Sequence, residues 1–195
     1  MSFSKRLLSS APAAFVASEN FNVVTYTGDG TTSKAITGVG FQPDFIWIKR
    51  RSSGEASAIY DSTRGINKQL ESNSNSAEAT NTAPFEGVNS FDSDGFTSGD
   101  NGGTNRSPET YVAWCWKANG GTTSSNTDGS ITSTVQANTK AGFSVVKYTA
   151  NGNNNTTIGH GLGAAPEFIV IKKLTATGDW ITHHQAIGAN NFLYL

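Results

Sequence analysis

The stretch that decides the fold is FNVVTYTGDG at residues 21–30, because it returns as FSVVKYTANG at residues 143–152. In both places a polar connection leads into an apolar run that ends in lysine, GFQPDFIWIK at residues 40–49 and GAAPEFIVIK at residues 163–172. With one residue inserted at His160, 14 of the 29 aligned positions are identical, where chance would give about two. The sequence therefore contains an internal repeat.

Each copy of the repeat predicts two β-strands with a polar connection between them. The Phe-x-Val-Val-x-Tyr pattern is typical of a strand, the following Gly-rich triplet of a turn, and the proline of a strand entrance. In the second strand of the first copy, Phe45, Trp47 and Lys49 share one side, and Ile46 and Ile48 the other. Because both sides are largely apolar, we expect an interior strand of a two-layer structure.

The segment YVAWCWK at residues 111–117 is the strongest strand pattern in the chain. Val112, Trp114 and Trp116 share one face, and the residues between them share the other. We expect this strand near the centre of a sheet, with Trp114 and Trp116 in the core.

Shorter patterns lie between and beside these strands. Ile59-Tyr60 and residues 91–96 (FDSDGF) predict further strand and turn pieces, and residues 71–83 predict a surface loop. Residues 120–128 are rich in Gly, Thr, Ser and Asn and predict a linker, followed by a thin strand at residues 131–135.

Composition excludes several classes of protein. Hydrophobic residues make up 36% of the chain and charged residues 15%, with 21 glycines, which favours turns and strands over helices. The net charge is -1 and the longest basic run is Lys49-Arg50-Arg51, so we expect no nucleic-acid partner. No apolar stretch is long enough for a transmembrane helix, so we expect no membrane partner. Cys115 is the only cysteine, which excludes an intramolecular disulfide and multi-cysteine zinc sites.

Four parts of the chain are predicted. Residues 1–20 form an irregular docking arm, since serines and a proline interrupt the apolar run that would otherwise resemble a signal peptide. Residues 21–119 form the first β-repeat domain, residues 120–140 a linker with a short strand, and residues 141–195 a second, incomplete β-repeat.

The second copy is shorter than the first. The first copy reaches its Trp-rich strand at Lys117, whereas the second reaches only the apolar run FLYL at residues 192–195. Because an exposed apolar strand is a liability, we expect that the protein is longer or that another subunit completes this unit.

We considered three sets of side chains as sites. His160, His183 and His184 are candidates for a transition-metal site, but neighbouring strand residues point to opposite faces, so we predict no metal site. Asp92, Asp94 and Asp100 lie in Asp- and Gly-rich stretches that do not match a calcium loop and are typical of tight turns. Asp92 and Asp94 are also the closest approach to a glycosidase acid pair, but nothing marks a partner acid.

The aromatic residues form the third set, a candidate platform for sugar stacking whose alternative is a plain core role. The set comprises Trp47, Trp114, Trp116, Trp180, Tyr26, Tyr60, Tyr111, Tyr148 and Tyr194. Cys115, between two tryptophans, is interpreted as a small buried hydrophobic residue and not as a reactive thiol. The ligand-binding residues stay unknown, and we expect no catalytic residue and no cofactor, since the common enzyme motifs are absent.

The repeated segments, together with SFDSDGF at residues 90–96, YVAWCWK at residues 111–117 and GLG at residues 161–163, resemble a repeat domain of structural proteins from marine tailed phages. The resemblance covers nearly everything from Phe21 onward. It implies an all-β, antiparallel β-sandwich of concanavalin-like or jelly-roll style in a virion protein, such as a tail fibre, a capsid-surface fibre or a decoration protein. It carries over no catalytic residues.

We therefore expect a non-enzymatic virion protein that acts in particle assembly or host attachment. It would form homo-oligomers, trimers being common in fibres, and would contact other virion proteins through residues 1–20. The alternative function is a lectin-like, carbohydrate-binding module for glycans on the host surface.

Overall fold

A computed structural model describes residues 15–195, which form short strands and two 3₁₀ turns, Ala17–Glu19 and Gln185–Ile187. The strands are β1 Phe21–Thr27, β2 Lys34–Thr37, β3 Phe45–Arg50, β4 Ala58–Asp61, β5 Lys68–Glu71, β6 Ala79–Thr80, β7 Val88–Asp92, β8 Gly95–Ser98, β9 Thr110–Trp116, β10 Ser124–Asn126, β11 Ser133–Asn138, β12 Phe143–Tyr148, β13 Phe168–Ile171, β14 Ile181–His184 and β15 Leu193–Tyr194. No α-helix occurs within this range, so the predicted all-β class is confirmed. Within residues 15–195 there is no helix with the length and apolarity that crossing a membrane requires.

The strands β1 to β9 form the first unit, and β10 to β15 form the second unit. The first unit consists of two antiparallel sheets. One has six strands in the order β1-β9-β3-β4-β5-β6, and the other has the order β2-β8-β7. The β9 strand lies between β1 and β3, with Trp114 opposite Val23 on one side and Trp47 on the other. The predictions of an interior strand at residues 45–49 and a central strand at residues 111–117 are therefore confirmed.

The core of this unit fills the space between the two sheets. Alternate residues of β3 and β9 point into it, including Ile46, Ile48, Ala113 and Cys115, all with no exposed surface. Phe96 of β8 closes the core from the opposite sheet. Two antiparallel layers around one apolar core form the predicted β-sandwich.

Trp114 and Trp116 do not belong to this core, which corrects the expected placement. They alternate with Ala113 and Cys115, so they lie on the outer face of the six-stranded sheet and are half-buried there. The Trp116 ring is 6.1 Å from the ring of Phe143, which belongs to the second unit. Trp116 thus packs between the units, Trp114 packs against Trp47 with 6.0 Å between the ring centres, and the smaller residues fill the sandwich.

Two further three-stranded sheets make up the rest of the chain, with the orders β10-β11-β12 and β13-β14-β15. The segment interpreted as a linker contains β10, which was not predicted, and β11, which overlaps the thin strand predicted at residues 131–135. The β11 strand pairs with β10 on one side and with β12 on the other. The β10 strand was missed because residues 120–128 are rich in Gly and Ser. Its pairing depends on backbone hydrogen bonds, which need no apolar side chains. Likewise, the loop predicted at residues 71–83 contains the two-residue strand β6.

Strand pairing repeats along the chain at a spacing of 123 residues. In the β3–β4 pair, Phe45 lies opposite Asp61, and in the β13–β14 pair, Phe168 lies opposite His184. The β5 and β15 strands keep the same relation, since Leu70 pairs with Ile59 and Leu193 with Thr182. The β13-β14-β15 sheet therefore has the register of β3-β4-β5.

The predicted docking arm lies mainly outside the described residues, which begin at Phe15. Its last part, up to Asn20, includes the first 3₁₀ turn. The Asn20 side chain donates to the carbonyl of Val16 (2.9 Å) and accepts from the side-chain amide of Asn138 (2.7 Å). This contact fastens the start of β1 to β11.

A buried carboxylate holds the first unit together at the entrance of β3. Asp44 has no exposed surface, and it accepts hydrogen bonds from the backbone N–H groups of Ala118 (2.7 Å), Gly120 (2.8 Å) and Gly121 (2.6 Å). It also accepts from the hydroxyl of Ser62 at 2.8 Å. These bonds join the segment after β9 to the start of β3 and the end of β4.

We expect Asp44→Ala to lower the free energy of unfolding by about 3 to 5 kcal/mol, because buried N–H donors lose their acceptor. The matched control is Glu167→Ala, since Glu167 is the exposed counterpart of Asp44 in the second copy, and it should change stability by less than about 0.5 kcal/mol. Urea unfolding followed by tryptophan fluorescence measures both. Equal effects of the two substitutions would contradict the role given to Asp44.

Candidate functional site

Within residues 15–195, a group of exposed apolar residues forms a patch on and beside the β13-β14-β15 sheet. Its eight members are all exposed: Phe168, Ile169, Val170, Ile171, Phe192, Leu193, Tyr194 and Leu195. They form rows across the sheet, since Val170 and Leu193 both pair with Thr182, and Ile171 and Tyr194 both pair with Ile181. Because successive strand residues point to opposite faces, these two rows lie on opposite faces of the sheet. Exposed apolar surface of this kind marks a contact with another molecule.

The exposure of the patch depends on which strands lie beside it and not on its sequence alone. Ile46 and Ile48 of β3 are fully buried, whereas their counterparts Ile169 and Ile171 are 36% and 42% exposed. In the first unit β3 is covered by the β2-β8-β7 sheet and flanked by β9. Over residues 15–195, β13 pairs only with β14.

The residues of the aromatic set differ in exposure, which the sequence did not indicate: Tyr194 lies in the exposed patch, and most of the others pack against the protein itself. Tyr60 and Tyr111 are fully buried in the sandwich. Trp116 contacts the rings of Phe21 at 4.8 Å and Phe45 at 5.4 Å, so its faces are occupied by the protein itself. Rings packed in this way do not form a free platform for sugars.

Trp180 fastens the second unit to the first. It is only 6% exposed and packs with Ile59 and Leu70 on the outer face of the six-stranded sheet. Its indole N–H lies 2.9 Å from the carbonyl oxygen of Glu71 and 3.1 Å from that of Ser74. An indole whose N–H is already bonded to backbone serves packing.

A polar cleft lies beside this tryptophan. Asn73, Ser74, Asn75 and Asp179 line it, together with Trp180 and Leu195. Amide, hydroxyl and carboxylate groups next to an indole are the chemistry that recognises sugar hydroxyls. This cleft was not predicted, because its residues come from segments a hundred positions apart in the sequence.

The three histidines are each engaged with nearby backbone. His160 Nδ1 accepts from the N–H of Leu162 at 3.2 Å, and His184 Nδ1 accepts from that of Ala186 at 3.1 Å. His183 Nδ1 lies 3.0 Å from the carbonyl oxygen of Asn191. Across residues 15–195, no group of three His, Cys, Asp or Glu residues is arranged to hold a metal ion.

The candidate acidic residues act in the β7–β8 hairpin. Asp92 accepts from the hydroxyl of Thr97 at 2.7 Å. Asp94 accepts from the N–H groups of Gly38 at 3.1 Å and Gly40 at 2.6 Å, and these bonds lower the pKa of its carboxyl. Asp100 lies apart from them, after β8. Of the two carboxylates that resembled an acid pair, Asp92 therefore holds the side chain of Thr97, and Asp94 holds the backbone at Gly38 and Gly40.

The comparisons with known proteins give one result. A family model described as a domain of unknown function, DUF7483, matches residues 16–195. The chain therefore belongs to the DUF7483 family. No curated protein and no solved structure matches the sequence.

We expect Cys115 to be unreactive in the folded protein. The side chain has no exposed surface, and burial raises the pKa of its thiol to about 12, so the thiol is neutral at pH 8. Alkylation by iodoacetamide at pH 8, followed by mass spectrometry, should be at least about a hundredfold slower in the native than in the urea-unfolded protein. Similar rates in the two states would show that β9 is not buried as described.

Proposed function

We propose that this member of the DUF7483 family is a non-enzymatic structural protein of a phage virion, a tail fibre, capsid fibre or decoration protein. It acts in particle assembly or host attachment. The single observation that carries the proposal is the exposed apolar patch on the β13-β14-β15 sheet. A protein built to assemble needs such a surface, and an isolated monomer does not.

The patch supports assembly because of its chemistry. Each of its eight side chains is large, mainly apolar and partly exposed, so covering one of them contributes a part of the roughly 1.5 to 3 kcal/mol that complete burial provides. An interface with several of them buried is the normal basis of stable oligomers. We propose that the C-terminal part, residues 192–195, contacts other copies of the chain, in a trimer or another closed homo-oligomer.

The remaining features agree with a scaffold. Asp92, Asp94 and the histidines, which were weighed as reactive groups, are bonded to the protein's own backbone or hydroxyls. The resemblance to repeat domains of marine phage structural proteins is the reason for proposing a phage particle. Residues 1–20 would contact other proteins of that particle.

A carbohydrate-binding function is the second candidate. The polar cleft beside Trp180 favours it, because Asn75 and Asp179 present amide and carboxylate oxygens at the surface. This function is compatible with the first, since a fibre that attaches to a host can end in a glycan-binding site.

For the structural function, we predict that the purified chain is an oligomer at micromolar concentration. Replacing Phe192 and Leu193 with Asp should shift it to monomer, because charge at the centre of an apolar interface is costly to bury. The matched control is Phe85→Asp, since Phe85 is 65% exposed but lies in the first unit, before β7. Size-exclusion chromatography with light scattering gives the mass of each variant. A monomeric wild type, or an oligomer that the double substitution leaves intact, would contradict assembly through the patch.

For the glycan function, we predict that Asp179→Ala abolishes binding to any glycan that the wild type retains on an array, because the cleft loses its carboxylate. Asp128→Ala is the control, since Asp128 is exposed in the β10–β11 turn. An array without hits for the wild-type protein excludes the second candidate and leaves the first untouched.

A further inference from the structure

We propose that the unpaired edge of β13 is a docking site for one β-strand of another protein chain, a strand that alternates aromatic and small residues as β9 does. The inference goes beyond the proposed function, because it rests on strand pairing alone and applies to any partner protein.

The first unit shows what the edge of β13 is built to hold. The β3 strand pairs with β4 along one edge and with β9 along the other. The β13 strand pairs with β14 in the register that β3 has with β4. The backbone hydrogen bond just beyond the end of each strand pair also recurs. The N–H of Ser62 donates to the carbonyl of Asp44 (2.9 Å), and the N–H of Gln185 donates to the carbonyl of Glu167 (2.8 Å).

The same bonds show which backbone groups face the unpaired edge. In an antiparallel pair, alternate residues bond to the neighbour on one side, and those between them bond to the other side. The bond between Gln185 and Glu167 assigns residues 167, 169 and 171 to β14. The N–H and C=O groups of Phe168 and Val170 therefore point to the open edge, where a fourth strand would meet them as β9 meets Phe45 and Trp47.

The side chains define the chemistry of the partner. On β3, the isoleucines lie opposite small residues of β9, since Ile46 pairs with Cys115 and Ile48 with Ala113. Ile169 and Ile171 repeat these positions, so the partner strand should carry small residues opposite them. Opposite Phe168 and Val170 it should carry aromatic residues, as Trp116 and Trp114 do opposite Phe45 and Trp47.

Glu167 adds a recognition element at one end of the site. Its counterpart Asp44 accepts three N–H groups from the Gly-rich segment that follows β9. Glu167 is exposed. A partner strand followed by a glycine turn would give this carboxylate the same bonds.

A second copy of the chain is the less suitable occupant. Its β9 is already paired on both edges, with β1 and β3, so it has no such strand to donate. A second copy could offer its own β13 edge, but that strand carries only large residues and no small ones to lie opposite Ile169 and Ile171. Addition of a donated strand to an open edge is a known mode of recognition between proteins.

The test uses the 195-residue chain and a labelled peptide with the sequence of residues 110–117, carrying Cys115→Ser so that no thiol reacts. Fluorescence anisotropy should show saturable binding with one peptide per chain. Hydrogen exchange at Phe168 and Val170 should slow by at least about tenfold on binding. A scrambled peptide of the same composition, in which the aromatic residues no longer alternate with small ones, should bind at least about tenfold more weakly.

A proline substitution separates the edge from the fold. Val170→Pro removes an N–H that faces the open edge and leaves the bonds to β14 in place, so the protein should stay folded. Loss of that donor should weaken peptide binding by about tenfold or more. Val170→Thr keeps the N–H and the β-branched shape, and it should bind the peptide with nearly wild-type affinity. Circular dichroism and the urea midpoint establish that both variants are folded.

Three outcomes would overturn the proposal. The first is an absence of peptide binding to the folded wild-type chain. The second is equal binding of the matched and scrambled peptides, or of the wild type and a folded Val170→Pro variant. The third is slow exchange at Phe168 and Val170 without peptide, because another copy or another part of the same chain then already covers the edge.

Discussion

The pairing of β9 with both β1 and β3 is the constraint on which the rest of the structure depends. The β9 strand is the last strand of the first unit, and it lies between β1 and β3, which come early in the sequence. It therefore joins β1 to the rest of the six-stranded sheet. Its two faces then serve different layers. Ala113 and Cys115 lie in the sandwich core, and on the other face Trp116 packs against Phe143 of the second unit. One strand thereby sets both the core and the contact between units.

Alternation of residue types made most of this sheet predictable. The β1, β3 and β9 strands carry β-branched and aromatic residues with a period of two, and a turn residue or proline precedes or follows each of them. The direction in which each face points could not be obtained in the same way. Hydrophobicity alone places the indoles of β9 in the core, but the facing sheet already contributes Phe96, so the smaller Ala113 and Cys115 fit there. The choice depends on a layer that is distant in sequence.

The sequence indicated the residues of the candidate site but not their exposure. The apolar runs at residues 168–171 and 192–195 are plain, but their exposure depends on which strands lie beside them, and a repeat with 14 identities suggests equal environments. The role of Asp44 was also missed, although a signal existed. Proline followed by an acid opens the second strand in both copies, and a carboxylate at an otherwise apolar strand entrance needs donors from elsewhere in the chain. The polar cleft beside Trp180 left no local signal, since its lining residues are distant in sequence.

The two copies therefore show that the burial of a strand depends on the strands that lie beside and above it, and not only on its own sequence. The Phe-Ile-x-Ile pattern occurs twice with the same pairing to the next strand. In the first copy, each isoleucine gains the roughly 1.5 to 3 kcal/mol that full burial provides. In the second, Ile169 and Ile171 keep more than a third of their surface exposed, so part of that stabilisation is not realised. The second unit instead depends on Phe143 and Trp180, which pack against the outer face of the first. A neighbour that covered β13 would add the stabilisation that the sequence of the strand already permits, and this free energy is what makes the edge a binding surface.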